Sequence, residues 1–179
     1  MQSRKNVAVC LAVVLAFTGV ASAQANDSVA DALKHRYKVS EIEVQNAAVQ
    51  GAVARPGVRL RIEADGVPAK PFHTTQANTK SPRFHARDYA RVEVASGKFM
   101  TLDTGDLKLP KGTEVVVLNI KAQGNTVRLF THTVEPIARV SRRPAFGCTE
   151  FVFRFEAPLA EVGVARVQQT IDGWLTPAS

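Results

Sequence analysis

The chain has few cysteines and lacks the sequence patterns of most common enzyme sites. Only two cysteines, Cys10 and Cys148, occur in 179 residues, and neither the cysteines nor the four histidines have the close spacing of a structural zinc site. The 11 glycines are scattered, so no glycine-rich phosphate loop is present, and no G-x-S-x-G sequence marks a nucleophile elbow. No second hydrophobic run of membrane length follows the N-terminal one. We therefore expect no metal site, no cofactor and no transmembrane segment in the mature chain.

The one long apolar run lies at the N-terminus and has the parts of an export signal in the expected order. Two basic residues precede an apolar run from Val7 to Val20, and Ala21-Ser22-Ala23 follows it as a cleavage site of small residues. Cys10 lies at the beginning of the run rather than at its end, which argues against a lipoprotein signal. We predict a signal peptide over residues 1–23 and a periplasmic or secreted mature chain that begins at Gln24.

The remaining residues are expected to form one basic domain that is stabilised by its core. The signal carries two of the 23 basic residues and none of the 16 acidic residues, so the mature chain has a formal charge of +5, which modestly favours anionic partners. With Cys148 alone after cleavage, no internal disulfide can form, and we expect this thiol to be buried. Apolar residues make up 45% of the chain. We predict a single β-rich domain over residues 24–179.

Apolar periodicity predicts an α+β fold that is mainly antiparallel β. Residues Val29, Leu33 and Tyr37, at a spacing of four, predict a short helix near residues 28–37, and apolar residues at roughly helical spacing predict a closing helix near residues 160–175. Between them we expect six to eight antiparallel strands. Closing or covering the sheet protects its edges, so the strands should curl into a small barrel or sandwich.

Two hairpins are predicted from turn residues. Asp65-Gly66 should join a strand over residues 58–63 to its partner, Val67 to Phe72, although Pro68 and Pro71 place that partner at an edge. The strongest signal is a central hairpin of Thr113–Ala122 and Thr126–Val134. In its first strand, one face is expected to hold Val116, Leu118 and Ile120.

A strand over residues 149–155 should supply the centre of the core. One face of this strand carries Phe151, Phe153 and Phe155. Burial of three aromatic rings removes a large apolar area from water and should stabilise the core. The opposite face carries Glu150, Val152 and Arg154, and we interpret its charges as solvated.

Two basic segments are the leading candidate for a binding site. Residues 73–88 show no periodicity and continue into Arg91, with aromatic residues interleaved among the cations, and a second loop over residues 136–147 holds three arginines. Guanidinium groups pair with phosphates and aromatic rings stack, so this composition suits anionic polymers. The alternative is an ordinary solvated cationic loop. The candidate anion-binding residues are Lys80, Arg83, Arg87, Arg139, Arg142 and Arg143.

These observations favour a non-enzymatic binding or envelope-associated module. Export argues against nucleic acid as a partner and favours an anionic envelope lipid or glycan, or another envelope protein. The alternative function is a periplasmic hydrolase or another enzyme with a site that the sequence does not reveal. Ser81, His85 and Asp88 lie close in sequence, but a catalytic triad is defined by geometry that sequence proximity does not supply. Converging ionisable groups in an apolar pocket would favour the enzyme.

Three short stretches carry a resemblance to a known group of proteins. They are Leu33-x-x-Arg36-Tyr37-x-Val39, Pro56-Gly57-Val58-x-Leu60 and Ile171-x-x-Trp174-Leu175. Together they resemble a pattern in small exported bacterial proteins of unknown function. The resemblance implies a helix, a compact β domain and a C-terminal helix, and it implies no activity and no site residues.

Overall fold

The computed structural model of the chain describes residues 24, 26–43, 51–72, 89–140 and 142–178. The predicted signal peptide and most of the first basic segment, residues 73–88, lie outside this part. Three helices are described: α1 over residues 26–37, α2 (Leu159–Val162) and α3 (Val164–Asp172). The strands described are β1 (Glu41–Ile42), β2 (Val53–Arg55), β3 (Arg59–Ile62), β4 (Val67–Pro71), β5 (Ala90–Ala95), β6 (Lys98–Asp103), β7 (Leu107–Leu109), β8 (Glu114–Gln123), β9 (Thr126–Thr133), β10 (Ala138–Val140), β11 (Arg143–Ala145), β12 (Gly147–Arg154) and β13 (Leu175–Pro177).

Nine of these strands form one curled sheet, a half-barrel, which confirms the β-dominated fold class in its coarse form. Seven follow the order β13-β3-β8-β9-β12-β4-β7, while β5 and β6 branch from β12. β12 is antiparallel to β9 along one edge, and its other edge is shared by β4, which is antiparallel, and β5, which is parallel. The sheet is therefore mixed, with β12 at its centre, so the expectation of six to eight strands that are all antiparallel is wrong in both number and direction.

The main core lies between one face of this sheet and the helices. Phe151 and Phe153 of β12 are fully buried there, which confirms the predicted aromatic centre, and Phe155 packs against it from a partly buried position. Helix α1 contributes an apolar stripe that includes Leu33 and Tyr37, and the Tyr37 hydroxyl donates to Asp172 Oδ1 of α3 at 3.0 Å. The two helices are thus joined over the same face of the sheet.

The β8–β9 hairpin is confirmed, but the prediction that Val116, Leu118 and Ile120 share one face of β8 is wrong. The register shifts between Val117 and Asn119, where a bulge places an extra residue in β8. Because side chains alternate with a period of two, one extra residue exchanges the faces beyond the bulge. The main core therefore receives Val115, Val117 and Ile120, whereas Val116 is buried on the opposite face.

The predicted hairpin of β3 and β4 does not form. Both edges of β3 are occupied, by β13 and by β8, and the Asp65 carboxylate accepts the backbone N–H of Lys111 at 3.2 Å instead of closing a tight turn. β4 is not an edge strand either, because β7 pairs with its first half and β12 with its second. Pro68 lacks an N–H but keeps its carbonyl, which accepts the Thr149 hydroxyl at 2.8 Å.

The predicted closing helix is shorter than expected and broken. Gly163, with φ of 76°, separates α2 from α3, and α3 ends at Asp172. Trp174 and Leu175 are not helical: Leu175 begins β13, which pairs with β3 at the edge of the sheet. The apolar spacing of these two residues matches a helix, but it is satisfied here by a turn into a strand. In contrast, the predicted N-terminal helix is confirmed by the described residues 26–37 of α1.

Candidate functional site

The sheet face opposite the main core, called the outer face below, carries a second buried cluster. On β12 the side chains of Cys148 and Glu150 point away from the core, and their cross-strand neighbours on β9 are His132 and Phe130. Cys148, Phe130 and Tyr89 are all at most 3% exposed and form this cluster. One end of the outer face is therefore covered, which the alternation of β12 alone did not predict.

Cys148 and His132 form a hydrogen-bonded pair within this cluster. The Nδ1 atom of His132 lies 3.4 Å from the Cys148 Sγ, and its Nε2 lies 2.6 Å from the backbone oxygen of Gly51. A carbonyl oxygen only accepts hydrogen bonds, so Nε2 must carry the ring proton. Nδ1 is then the acceptor, and the thiol donates to it. The expectation that Cys148 is buried is confirmed, since it is 1% exposed.

Two aromatic rings enclose His132. Phe146 stacks on the imidazole with ring centroids 5.3 Å apart, and Phe72 meets it edge-on at 5.3 Å. Burial disfavours the charged imidazolium and lowers the pKa of His132 to about 4, although the bond to Gly51 acts in the opposite direction. The ring is therefore neutral at pH 7, and it does not activate the thiol by charge.

Glu150 is a fully buried carboxylate held by two arginines from neighbouring strands. Arg91 Nε of β5 donates to Oε2 at 3.1 Å, and Arg128 Nε of β9 donates to Oε1. The sequence interpretation of Glu150 as a solvated charge is wrong, because the two guanidinium groups and the neighbouring cluster exclude water from it. The available signal was the presence of arginines on both neighbouring strands, at positions that face outward.

The charged surface continues along the outer face. Arg154 of β12 binds Glu93 of β5 through two bonds of 3.1 and 3.0 Å, and these bonds raise the pKa of Arg154. Lys121 and Arg128 place their charges 5.6 and 5.4 Å from the ring centre of Phe130. The cationic side chains on this part of the sheet are thus held in place by carboxylates and by contacts with the ring of Phe130.

The predicted anion-binding residues are placed only in part. Arg139 and Arg142 are exposed on the β10–β11 hairpin, so the structure brings these two together. The backbone of Arg143 lies in β11, and its side chain is outside the described part. The remaining three predicted residues, Lys80, Arg83 and Arg87, also lie outside the described residues.

The ends of the two basic segments meet at the outer-face cluster. Phe72, which precedes residues 73–88, donates its backbone N–H to the carbonyl of Phe146 at 2.8 Å. Phe146 directly follows the β10–β11 hairpin. Tyr89, which follows residues 73–88, packs against Phe130 with ring centroids 5.2 Å apart. The first segment therefore leaves and rejoins the fold at this cluster, and the second segment ends there.

Two surface pockets lie in the described part of the protein, and each has few ionisable lining residues. The first, of about 270 Å³, has an apolar lining with Arg59 and Glu135 as its ionisable members. Arg59 binds Glu114 at 3.5 Å and remains protonated, so only one group there can transfer a proton. The second, of about 360 Å³, has Glu156 as its one ionisable lining residue. Neither pocket assembles a general acid and base.

The described ranges contain neither a cluster of metal-ligating side chains nor a helix that could span a membrane. No group of three or more His, Cys, Asp or Glu side chains within them could hold a metal ion. No helix in these ranges has the length and apolar character needed to cross a membrane. Comparison of the chain with protein-family models, with curated proteins and with solved structures gave no significant match.

Proposed function

We propose that the mature protein is an exported, non-enzymatic binding module that engages an anionic envelope lipid or glycan. The binding surface is made by the two basic segments, residues 73–91 and 138–145. The observation that carries the proposal is the hydrogen bond from Phe72 to Phe146, because it fixes the start of one basic segment beside the end of the other. A ligand that spans both segments can then contact cations from each.

The hairpin arginines are available to such a ligand. Elsewhere on the described surface several arginines bind carboxylates, as Arg55 binds Glu41 and Arg36 binds Asp172. Arg139 and Arg142 have no ion pair with a carboxylate among the described residues, and both are exposed. Their guanidinium donors can therefore pair with phosphate or carboxylate oxygens without first breaking an internal bond.

An enzymatic function has weaker support. The most chemically suggestive pair, Cys148 and His132, is buried, and its imidazole is neutral and engaged with Gly51. A nucleophilic thiol needs an electropositive and partly exposed setting. Another envelope protein is a further possible class of partner, and the experiment below separates it from lipid or glycan.

The test is binding of the mature chain to phosphatidylglycerol vesicles and, separately, to lipopolysaccharide, at increasing salt. Exposed charges act through a field that is screened over about 8 Å at physiological ionic strength, so binding should weaken as salt rises. The variant Arg83→Ala, Arg87→Ala, Arg142→Ala should bind more weakly than the parent. Binding to only one of the two probes would show whether the protein recognises the phospholipid or the lipopolysaccharide.

A matched control removes the same charge from another part of the surface. Lys34, Lys98 and Arg166 are exposed, on α1, β6 and α3, and replacing all three with alanine should leave most of the binding intact. Equal loss in both triple variants would mean that only net charge matters. Absence of binding to either probe at low salt would contradict a lipid or glycan ligand and leave a protein partner as the alternative.

A further inference from the structure

His132 is the common contact of three separate surface segments. Gly51, before β2, accepts its Nε2–H at 2.6 Å, Phe72, after β4, packs edge-on against it, and Phe146, before β12, stacks on it. Each of these residues is at the end of a connection between strands. The imidazole therefore holds three connecting segments against the outer face through its contacts with Gly51, Phe72 and Phe146.

Protonation at Nδ1 would break one of the two hydrogen bonds of His132 and place a charge in this apolar site. Neutral His132 accepts the Cys148 thiol proton at Nδ1, whereas imidazolium has two donors and no acceptor. The thiol sulfur is a weak acceptor, and the new charge would lie between two phenyl rings. The Gly51 carbonyl still accepts the Nε2–H of the imidazolium, but one neutral acceptor does not replace the hydration that the charge loses, so burial lowers the pKa of His132.

The hydrogen-bond partners found for His132 in the described part of the chain are the Cys148 thiol and the Gly51 carbonyl, and neither is a carboxylate. From β12 the facing titratable groups are the Cys148 thiol and, two residues along the same face, Glu150, whose carboxylate is held by Arg91 and Arg128. From β8 the cross-strand neighbour is Val116, and beside Gly51 lies Glu43, whose carbonyl accepts the Gly51 N–H. On β4 the neighbour of Cys148 is Lys70, a cation whose Nζ lies 2.9 Å from Asp103. The segments of Gly51, Phe72 and Phe146 meet the ring through a carbonyl and two aromatic rings.

We propose that His132 is a proton-operated latch: its protonation releases the segments of Gly51, Phe72 and Phe146 and exposes Cys148, while the main core stays folded. The proposal goes beyond ligand binding and does not depend on it. Two of the released segments adjoin the basic segments, so the latch sets whether those segments are held together. An exported protein meets external pH changes that the cytoplasm buffers.

The chain contains a separate reporter for each part of this proposal. Cys148 lies in the outer-face cluster, and its reaction with a thiol reagent reports opening there. Trp174 is the one tryptophan of the chain, and it packs against the main core, stacked on Phe99 at 6.0 Å between ring centroids. Its fluorescence therefore reports unfolding on the other face of the sheet.

The expected size of the effect follows from proton linkage. A group that titrates near 4 when closed and near an ordinary 6.5 when open binds its proton more tightly in the open state. Stability of the closed state is fully present above pH 6.5 and is lost as pH falls towards 4. The opening equilibrium constant should rise about 20-fold between pH 7 and pH 5.

The experiment measures the labelling rate of Cys148 by 4,4′-dithiodipyridine from pH 7.5 to pH 4.5, in the chain that begins at Gln24, where Cys148 is the one cysteine. Each native rate is divided by the rate in the urea-unfolded chain at the same pH, which cancels the intrinsic pH dependence of the thiol. The relative rate should rise about 20-fold from pH 7 to pH 5 while Trp174 fluorescence stays native. His132→Gln, which cannot be protonated, should abolish this rise, and His35→Gln on the exposed surface of α1 should retain it.

The following results would overturn the proposal. A relative rate that is constant between pH 7 and pH 5 in the parent rules out a proton-operated latch, whether or not the His132→Gln variant folds. Loss of the Trp174 signal together with labelling would mean global unfolding instead of local opening. Thiolate absorbance near 240 nm at pH 7 would mean that the pair is already ionised, and the assigned protonation states would be wrong.

Discussion

The buried carboxylate of Glu150 gives a sharp prediction about stability, because Glu150 is fully buried whereas its two arginine partners are partly exposed. Glu150 is 0% exposed, whereas the side chains of Arg91 and Arg128 are 39% and 34% exposed. If both arginines are removed, a buried charge is left without a partner. If the carboxylate is removed, two arginines are left that can turn to water.

The order of the mutational effects follows from this asymmetry. Arg91→Met with Arg128→Met keeps the apolar stems of both side chains and should lower the free energy of unfolding by about 3 to 5 kcal/mol, the usual cost of breaking a buried ion pair. Glu150→Met alone should cost less than about 2 kcal/mol, because a well-packed apolar residue replaces the charge. Adding Glu150→Met to the double variant should restore at least about 2 kcal/mol.

Urea denaturation followed by circular dichroism and by Trp174 fluorescence measures these differences. Arg55→Met is the matched control: its partner Glu41 is 62% exposed, and the loss of that pair should cost less than about 1 kcal/mol. If Glu150→Met is the most destabilising of the variants, or if it lowers the stability of the double variant further, the unpaired charge of Glu150 is not the cause of the loss.

Three other predictions concern the core, a tight backbone contact and processing. Phe153→Ala should cost about 3 to 5 kcal/mol through lost burial and a cavity, and a difference below about 1 kcal/mol in urea melts would mean that its burial is misassigned. Gly57→Ala should cost about 1 to 3 kcal/mol, since a Cβ there would lie 1.4 Å from the Lys38 carbonyl oxygen, whereas Gly112→Ala meets no atom and should show only the strain of its positive φ; equal losses would contradict the clash. Intact mass of the exported protein should correspond to a chain beginning at Gln24, and a mass that retains residues 1–23 would exclude the predicted cleavage.

The fold could be predicted from the sequence where one face of a strand carries residues of a single type. It could not be predicted where contacts with neighbouring strands determine the pairing or the register. Alternating phenylalanines in β12 predicted the centre of the core, and two long apolar strands separated by residues 123–125 predicted the β8–β9 hairpin. The bulge in β8 could not be predicted, because a continuous run of apolar residues is compatible with either face of the sheet. Strand pairing failed for β3 and β4, since a turn signal does not reveal which edges other strands occupy.

The candidate site was predictable only as a set of charges along the chain. Alternation placed Glu150 outward, but outward residues can be covered, and here Arg91 and Arg128 from other strands cover it. The pairing of Cys148 with His132 depends on the register between β12 and β9, which periodicity does not supply. The link between the two basic segments likewise depends on one backbone bond between residues that are distant in sequence.

Hydrogen–deuterium exchange of the mature chain, with and without lipopolysaccharide or phosphatidylglycerol vesicles, tests the proposed binding surface most directly. The account predicts slower exchange on binding in residues 73–91 and 138–145 together, with little change at the β13–β3 edge. That protection should disappear at high salt. Protection confined to the β13–β3 edge, or to only one of the two basic segments, would contradict the claim that these segments form one anion-binding surface.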